Sequence, residues 1–289
     1  MTSRNNNDRF KAGDQENSSQ DSKSNTNSLL SFSVPTEFVD LPSKGLYYPE
    51  GHSLHNVSQV EIRHMTAKEE DILANQSLLK SGKAIDRMLQ NVILTPDVDI
   101  TDLLTGDKNA ITVAARITGY GPEYSVDVTC PACGTKQKKS FDLSNSKIVG
   151  ASFDRDTINE KLEGINVTDR GTFKVTLPAS NFEAEFRMLT GKDEEKVESF
   201  ANRATNSEKG SLLVDTISYM LVSVQDVTDY SQIREFVENM PAKDSKYLRN
   251  LYAKLKPDID LTQEFVCRDC KHEQDLEVPI TAEFFWPQS

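Results

Sequence analysis

Apolar positions change period several times along the chain, and each change predicts an element. Val60 and Ile62 share one parity with His64 over residues 59–65, the alternation of a half-buried strand. Thr66, with Glu69 three positions on, reads as a capping box opening a helix, and Gly82 suits its stop. Ala84, Ile85, Met88, Leu89, Val92 and Ile93 mark one helical face, ended by Pro96. A third helix is predicted from about 107 to 117, broken by Gly119-Tyr120-Gly121-Pro122. Tyr124, Val126 and Val128 then alternate as a strand running into Cys130-Pro131-Ala132-Cys133-Gly134.

The later part of the chain follows a similar course. Phe182, Ala184, Phe186 and Met188 alternate, and Thr190 caps a helix carrying Val197, Phe200, Ala201 and Ala204. Further helices are predicted on Leu213, Ile217, Met220, Leu221 and Val224, then on Ile233, Phe236 and Val237. A last one carries Leu248, Leu251, Tyr252 and Leu255 and stops at Pro257. A strand then leads to Cys267-Arg268-Asp269-Cys270.

Segment 61–70 can be laid on 185–194, with Glu, Arg, Thr, Lys and the final Glu in common. Met88-Leu89 also matches Met220-Leu221, and Asp107 precedes Cys130 by 23 positions as Asp244 precedes Cys267. These agreements predict an α+β fold, mainly helical, with two pseudo-repeated strand-helix lobes at 59–145 and 146–289. Chance agreement between two amphipathic segments is the competing explanation. Ahead of the lobes, residues 1–30 are too polar to offset the entropy of ordering and are expected to be a disordered tail. Residues 31–58, with Leu41-Pro42-Ser43-Lys44-Gly45-Leu46-Tyr47-Tyr48-Pro49, are expected to form an extended Pro/aromatic arm.

Composition narrows the function. The chain has 289 residues, 37% hydrophobic and 27% charged, with net charge -12 and pI near 4.9. That acidity argues against nucleic acid as a partner, because phosphate binding needs a basic face. No apolar run reaches the ~18–20 residues that cross a bilayer, and no apolar leader segment opens the chain. Membrane insertion and secretion are therefore not expected.

The four cysteines, Cys130, Cys133, Cys267 and Cys270, form two CxxC pairs, each between two strand-like stretches. A CxxC turn presents two thiolates on one side of a tetrahedron, so two such turns complete a four-cysteine zinc site. The expected cofactor is structural zinc, joining the two lobes. Redox thiols and separate buried thiols are the alternatives, although neither pair opens a helix as a thioredoxin motif does. His272 offers a substitute ligand only if the four-cysteine set fails.

No Walker A, GxGxxG, GxSxG or HExxH pattern occurs. His52 and His55 fall in a predicted loop, and His64 ends a strand's apolar face. No enzyme activity and no small-molecule substrate are expected. At the far end, Phe284, Phe285 and Trp286 admit two readings, packing against the ribbon or anchoring a partner.

Leu41-Pro42-Ser43-Lys44-Gly45 with Tyr48-Pro49, Arg63, Met65-Thr66 and Glu69-Glu70, Gly106-Asp107, Arg116-Ile117 and Tyr120-Gly121 form an ordered set. Followed by Cys130-Pro131, Cys133-Gly134 and a second CxxC leading to Phe284-Phe285-Trp286-Pro287, it resembles the baseplate hub assembly proteins of T-even-like contractile-tailed bacteriophages. The resemblance spans residue 35 to the end. It implies a hub component or assembly chaperone working in the host cytoplasm, with persistence in the virion left open. The implied partners are hub and spike proteins, contacted through Leu41, Pro42, Tyr47, Tyr48, Phe284, Phe285 and Trp286. A zinc-ribbon regulator binding nucleic acid or polymerase is the alternative function.

Overall fold

Strand β1 (Thr36–Asp40) pairs antiparallel with β2 (Gln59–Arg63), Val39 opposite Val60, so the arm begins as a strand. This is a computed structural model, and it describes residues 34–150, 164–204, 212–278 and 282–285. The expected disordered tail, 1–30, lies outside those residues. Val39, Val60 and Ile62 face inward, as their alternation predicts.

Helices α1 (Ala67–Ala74) and α2 (Gln76–Lys80) replace the single helix expected up to Gly82. The break is at Asn75, whose side chain accepts from the Ser77 and Leu78 amides and so caps a new helix. Next come α3 (Ala84–Val92), which buries Ala84, Met88, Leu89 and Val92, and α4 (Thr105–Tyr120). α4 runs through Gly119, which packs on the Met65 side chain, and ends at Gly121 with φ +82°.

Hairpin β3 (Glu123–Thr129)/β4 (Lys136–Asp142) carries the first CxxC. After β5 (Lys147–Val149), a four-stranded antiparallel sheet has the order β6 (Ile165–Val167), β7 (Phe173–Thr176), β8 (Glu183–Phe186), β9 (Leu221–Val224). Helices α5 (Gly191–Ala204) and α6 (Leu212–Met220) lie between β8 and β9. Helices α7 (Tyr230–Glu238) and α8 (Ala242–Leu255) follow. β10 (Asp258–Asp260) pairs with β5, and hairpin β11 (Thr262–Val266)/β12 (Glu273–Glu277) carries the second CxxC. The α+β class is observed, with eight helices and five small sheets among the described residues.

The helix predicted through Val224 ends at Met220. Leu221–Val224 instead pair with β8, placing Phe186 opposite Leu221. Their apolar spacing fits either element, and an available strand edge decides it. Ile93, four positions after Leu89, bridges to Ile62, as Leu221 pairs with Phe186.

The match of 61–70 with 185–194 has a physical basis. Arg63 grips Glu69 through two hydrogen bonds (2.9 and 2.7 Å), and the Thr66 amide and hydroxyl donate to the same carboxylate (3.0 and 2.7 Å). Arg187 grips Asp193 likewise (2.6 and 2.9 Å), with the Thr190 amide and hydroxyl completing it (3.0 and 2.9 Å). Each bracket seals a strand-to-helix corner by satisfying a buried carboxylate.

One hydrophobic core runs from Val39 to Phe285 and draws on both halves. Tyr47 packs on Phe173 (5.2 Å between ring centroids), which stacks on Phe186 (5.1 Å). A Cβ at Gly106 would fall 1.9 Å from the Pro257 carbonyl oxygen, so only glycine lets the start of α4 lie on the chain entering β10. No helix among the described residues is long and apolar enough to cross a membrane.

Burial pushes the Glu69 carboxyl up, but hydrogen bonds from Arg63 and Thr66 outweigh it and hold the group at about 2, against an ordinary 4.5. A depressed carboxyl contributes stability that is complete above its unfolded value and fades as pH falls through its folded one. Urea unfolding of the whole chain should therefore lose stability between about pH 4.5 and 2. The Glu69→Gln variant should be less stable at pH 7 and show a flatter acid limb. An unchanged limb would assign the acid loss to other groups.

Candidate metal centre

Each CxxC lies in the turn of a hairpin, and the two turns are built alike. The Cys130 amide donates to the Thr135 carbonyl (2.9 Å), and the Gly134 amide donates to the Cys130 carbonyl (2.9 Å). The Cys267 amide donates to the His272 carbonyl (2.9 Å), and the Lys271 amide to the Cys267 carbonyl (3.1 Å). The residue after each second cysteine is left-handed: Gly134 at φ +74° and Lys271 at φ +61°. Glycine takes that conformation freely; lysine takes it at about 1–2 kcal/mol of strain, which the paired strands absorb.

The four sulfur atoms lie within 4.8 Å of one another. Cys130 Sγ is 3.7 Å from Cys270 Sγ, and Cys133 Sγ is 3.7 Å from Cys267 Sγ. These contacts run between hairpins and are too long for a disulfide, which needs ~2.05 Å. They match the edge of a tetrahedron of thiolates ~2.3 Å from a central ion, about 3.8 Å. Cys130 and Cys267 are buried with Phe265, against Val128 and Leu276, while Cys133 and Cys270 face outward. The expected convergence of two distant pairs is thus present. His272, the fallback ligand, sits 3.4 Å from Gln274 Oε1 instead.

Further bonds hold the hairpins together. Thr135 donates to Asp269 (2.9 Å), and the Gln137 amide group bonds the Val266 carbonyl (3.2 Å) and the Arg268 amide (2.9 Å). Gln263 does the same for the Asp142 amide and carbonyl (3.2 and 2.7 Å). The two outward thiols, Cys133 and Cys270, are shifted in opposite directions. Hydrogen bonds from Thr135, then from Cys270, draw Cys133 down to about 6. The His272 amide lowers Cys270, but bonding to Cys133 and desolvation push it up to about 12. The donor set is soft, closed and without a free position, which suits a structural ion.

The arm and the aromatic end carry the residues proposed to meet partners, and the structure places most of them inside the body. Leu41, Pro42, Tyr47 and Tyr48 are buried. Asp107, the third residue of α4, accepts from the Ser43 amide (2.9 Å), the Ser43 hydroxyl (2.5 Å) and the Tyr48 hydroxyl (2.8 Å). Tyr48 also accepts from the Leu104 amide (3.0 Å) and stacks on His52. Burial raises the Asp107 carboxyl despite these donors. Asp244, third residue of α8, accepts from the Ala179 and Ser180 amides (2.7 and 3.0 Å) in the Leu177-Pro178 turn, as Asp107 does from the Leu41-Pro42 turn. The shared 23-residue spacing to the cysteines was the only sequence sign of this pair.

Phe284 and Phe285 are also fully buried, and Trp286 lies outside the described residues. Of the two readings of the aromatic end, packing is the one the geometry of Phe284 and Phe285 fits. Tyr124 meets Phe284 edge-on (5.1 Å), and the buried Arg116 guanidinium donates to the carbonyls of Phe284 (2.8 Å), Gly121 (2.8 Å) and Glu123 (3.1 Å). Arg116 therefore ties the C-terminal turn to the end of α4. Nothing in its apolar sequence neighbourhood marks that role.

A family model described as T4 bacteriophage base plate protein matches residues 35–286. No curated protein and no solved structure matches the chain.

Tyr48→Phe should cost about 1–3 kcal/mol in urea unfolding, since it removes a donor to a buried carboxylate. Combined with Asp107→Asn it should cost less than the sum of the two, because both act on one contact. Full additivity would show that the arm is held by packing alone.

Proposed function

The chain belongs to the T4 bacteriophage base plate protein family, and we propose that it serves as a hub component or hub assembly chaperone, working by protein contact and not by catalysis. The observation that carries this is the family match, which takes in almost all of the described fold, arm and ribbons included. Its partners in this reading are hub and spike subunits, met in the host cytoplasm while the tail is built. The body they meet is rigid: the motif residues Ser43, Tyr48, Asp107 and Arg116 all satisfy buried polar groups inside it.

The ion at the four-cysteine centre is zinc in this reading, supported by the donor set and the 3.7 Å sulfur contacts. Its role is to lock two hairpins. The two halves are copies of one unit, 59–145 and 146–289, supported by the matched arginine brackets, the matched aspartates and the matched knuckles.

Purified full-length protein should contain one zinc per chain. Cys130→Ser should remove most of that zinc and lower the melting temperature, as should a strong chelator. Stability should fall by several kcal/mol, since structural zinc binds small peptides with about 10–16 kcal/mol. Metal content far below one per chain, in protein whose four thiols are all titratable, would remove zinc from the account. The assembly role has its own test: the chain should co-sediment with tail intermediates from infected cells, and mass spectrometry of purified particles decides whether it remains in the virion.

A further inference from the structure

Among the described strands, β1 pairs only with β2, which leaves its outer edge open. The bonding parity identifies the groups on that edge. The Leu41 amide donates to the Ser58 carbonyl (2.8 Å) and the His64 amide to the Pro35 carbonyl (2.9 Å). Odd-numbered residues of β1 therefore bond to β2, and the backbone groups of Thr36, Phe38 and Asp40 point away from it. The far side of β2 obeys the same parity, with the Glu61 carbonyl accepting from the Leu94 amide (2.8 Å).

The second half has the same arrangement with that edge filled. β7 runs into Leu177-Pro178 as β1 runs into Leu41-Pro42, and the Leu177 amide donates to the Phe182 carbonyl (2.9 Å) as Leu41 does to Ser58. There β6 covers the outer edge, with Asn166 opposite Lys174 and the Thr168 amide donating to the Thr172 carbonyl (2.8 Å). Lys174 stands where Phe38 stands in the first half. Its cross-strand row is Lys174, Glu185 and Ser223, all polar. The corresponding row in the first half is Phe38, Glu61 and Leu94, with Phe38 63% and Leu94 43% exposed. The uncovered edge thus carries an exposed aromatic, Phe38, where the covered one carries Lys174.

We propose that β1 is a strand-accepting docking edge: an extended segment of another tail protein adds antiparallel to Thr36–Asp40, in the place that β6 holds beside β7. The ladder supplies the bonds, and Phe38 supplies an apolar footing. Charge selects the occupant. The exposed charges of β1 are Glu37 and Asp40, Glu61 lies in the adjoining row, and Arg63 is committed to Glu69. A segment that sets an apolar residue beside Phe38 and Lys or Arg beside Glu37 and Asp40 complements that edge. A second copy of this chain, with net charge -12, would set acid against acid. The partner's being a tail protein rests on the baseplate reading; the open edge does not.

The test is photo-crosslinking of the full-length chain in infected cells, with p-benzoylphenylalanine in place of Phe38, and with the same group in place of Phe182 as the control. The expected adduct from position 38 joins an extended, basic segment of another tail protein. Phe38→Pro, which removes only an outward amide and spares the β1–β2 ladder, should reduce co-sedimentation with tail intermediates by about tenfold or more at an unchanged melting temperature. If Phe38→Pro melts early, Phe38→Lys, which copies position 174, replaces it. An adduct to a second copy, or to residues 1–33 of the same chain, overturns the proposal. So does full co-sedimentation of the stable variant, which leaves the baseplate reading standing. A wild-type chain that never sediments with tails overturns both.

Discussion

Four sulfur atoms within 4.8 Å of one another impose the constraint around which the rest of this fold is arranged. Isolated two-stranded hairpins of this length are marginal in water, and ionised thiols at such distances repel. A cation held between the four thiolates would turn both weaknesses into a joint. Closing a loop of more than a hundred residues also removes unfolded-state freedom, on the order of 4–5 kcal/mol by analogy with a disulfide. With the hairpins side by side, β5 meets β10 and the start of α4 lies against Pro257, a contact that the absence of a side chain at Gly106 permits.

Around that joint, the core holds charge by saturating it with backbone and hydroxyl partners. Asp107 takes one amide and two hydroxyls and Asp244 two amides, each with a Leu-Pro turn as donor, and Arg116 is satisfied by three carbonyls without any carboxylate. An unmet buried polar group is expensive and a met one contributes little net stability. The yield of these contacts is therefore geometric. They define where the arm, the ribbon and the C-terminal turn sit relative to α4, and a body meant to be built into a larger assembly needs that definition more than surplus stability.

The two halves share corner brackets, turns and knuckles, but they present different surfaces. Where one has a polar row beside an added strand, the other has an exposed phenylalanine, Phe38, on an open edge. A framework of internal hydrogen bonds tolerates such divergence, because the residues that maintain it face inward and leave the outer row free to vary.

The sequence by itself determined the local features: both capped helix starts, the strand alternations, the two cysteine turns and their ability to complete one site. All but the last are written in residues a few positions apart. Tertiary structure decided the rest. Tyr47, Tyr48, Phe284 and Phe285 look like partner anchors by type, yet Asp107 and Arg116 draw their segments inward from 59 or more positions away. Leu221–Val224 has the spacing of a helix and becomes a strand because β8 offers it an edge. Periodicity records which faces are apolar. What covers each face depends on contacts between distant residues, which no local pattern encodes.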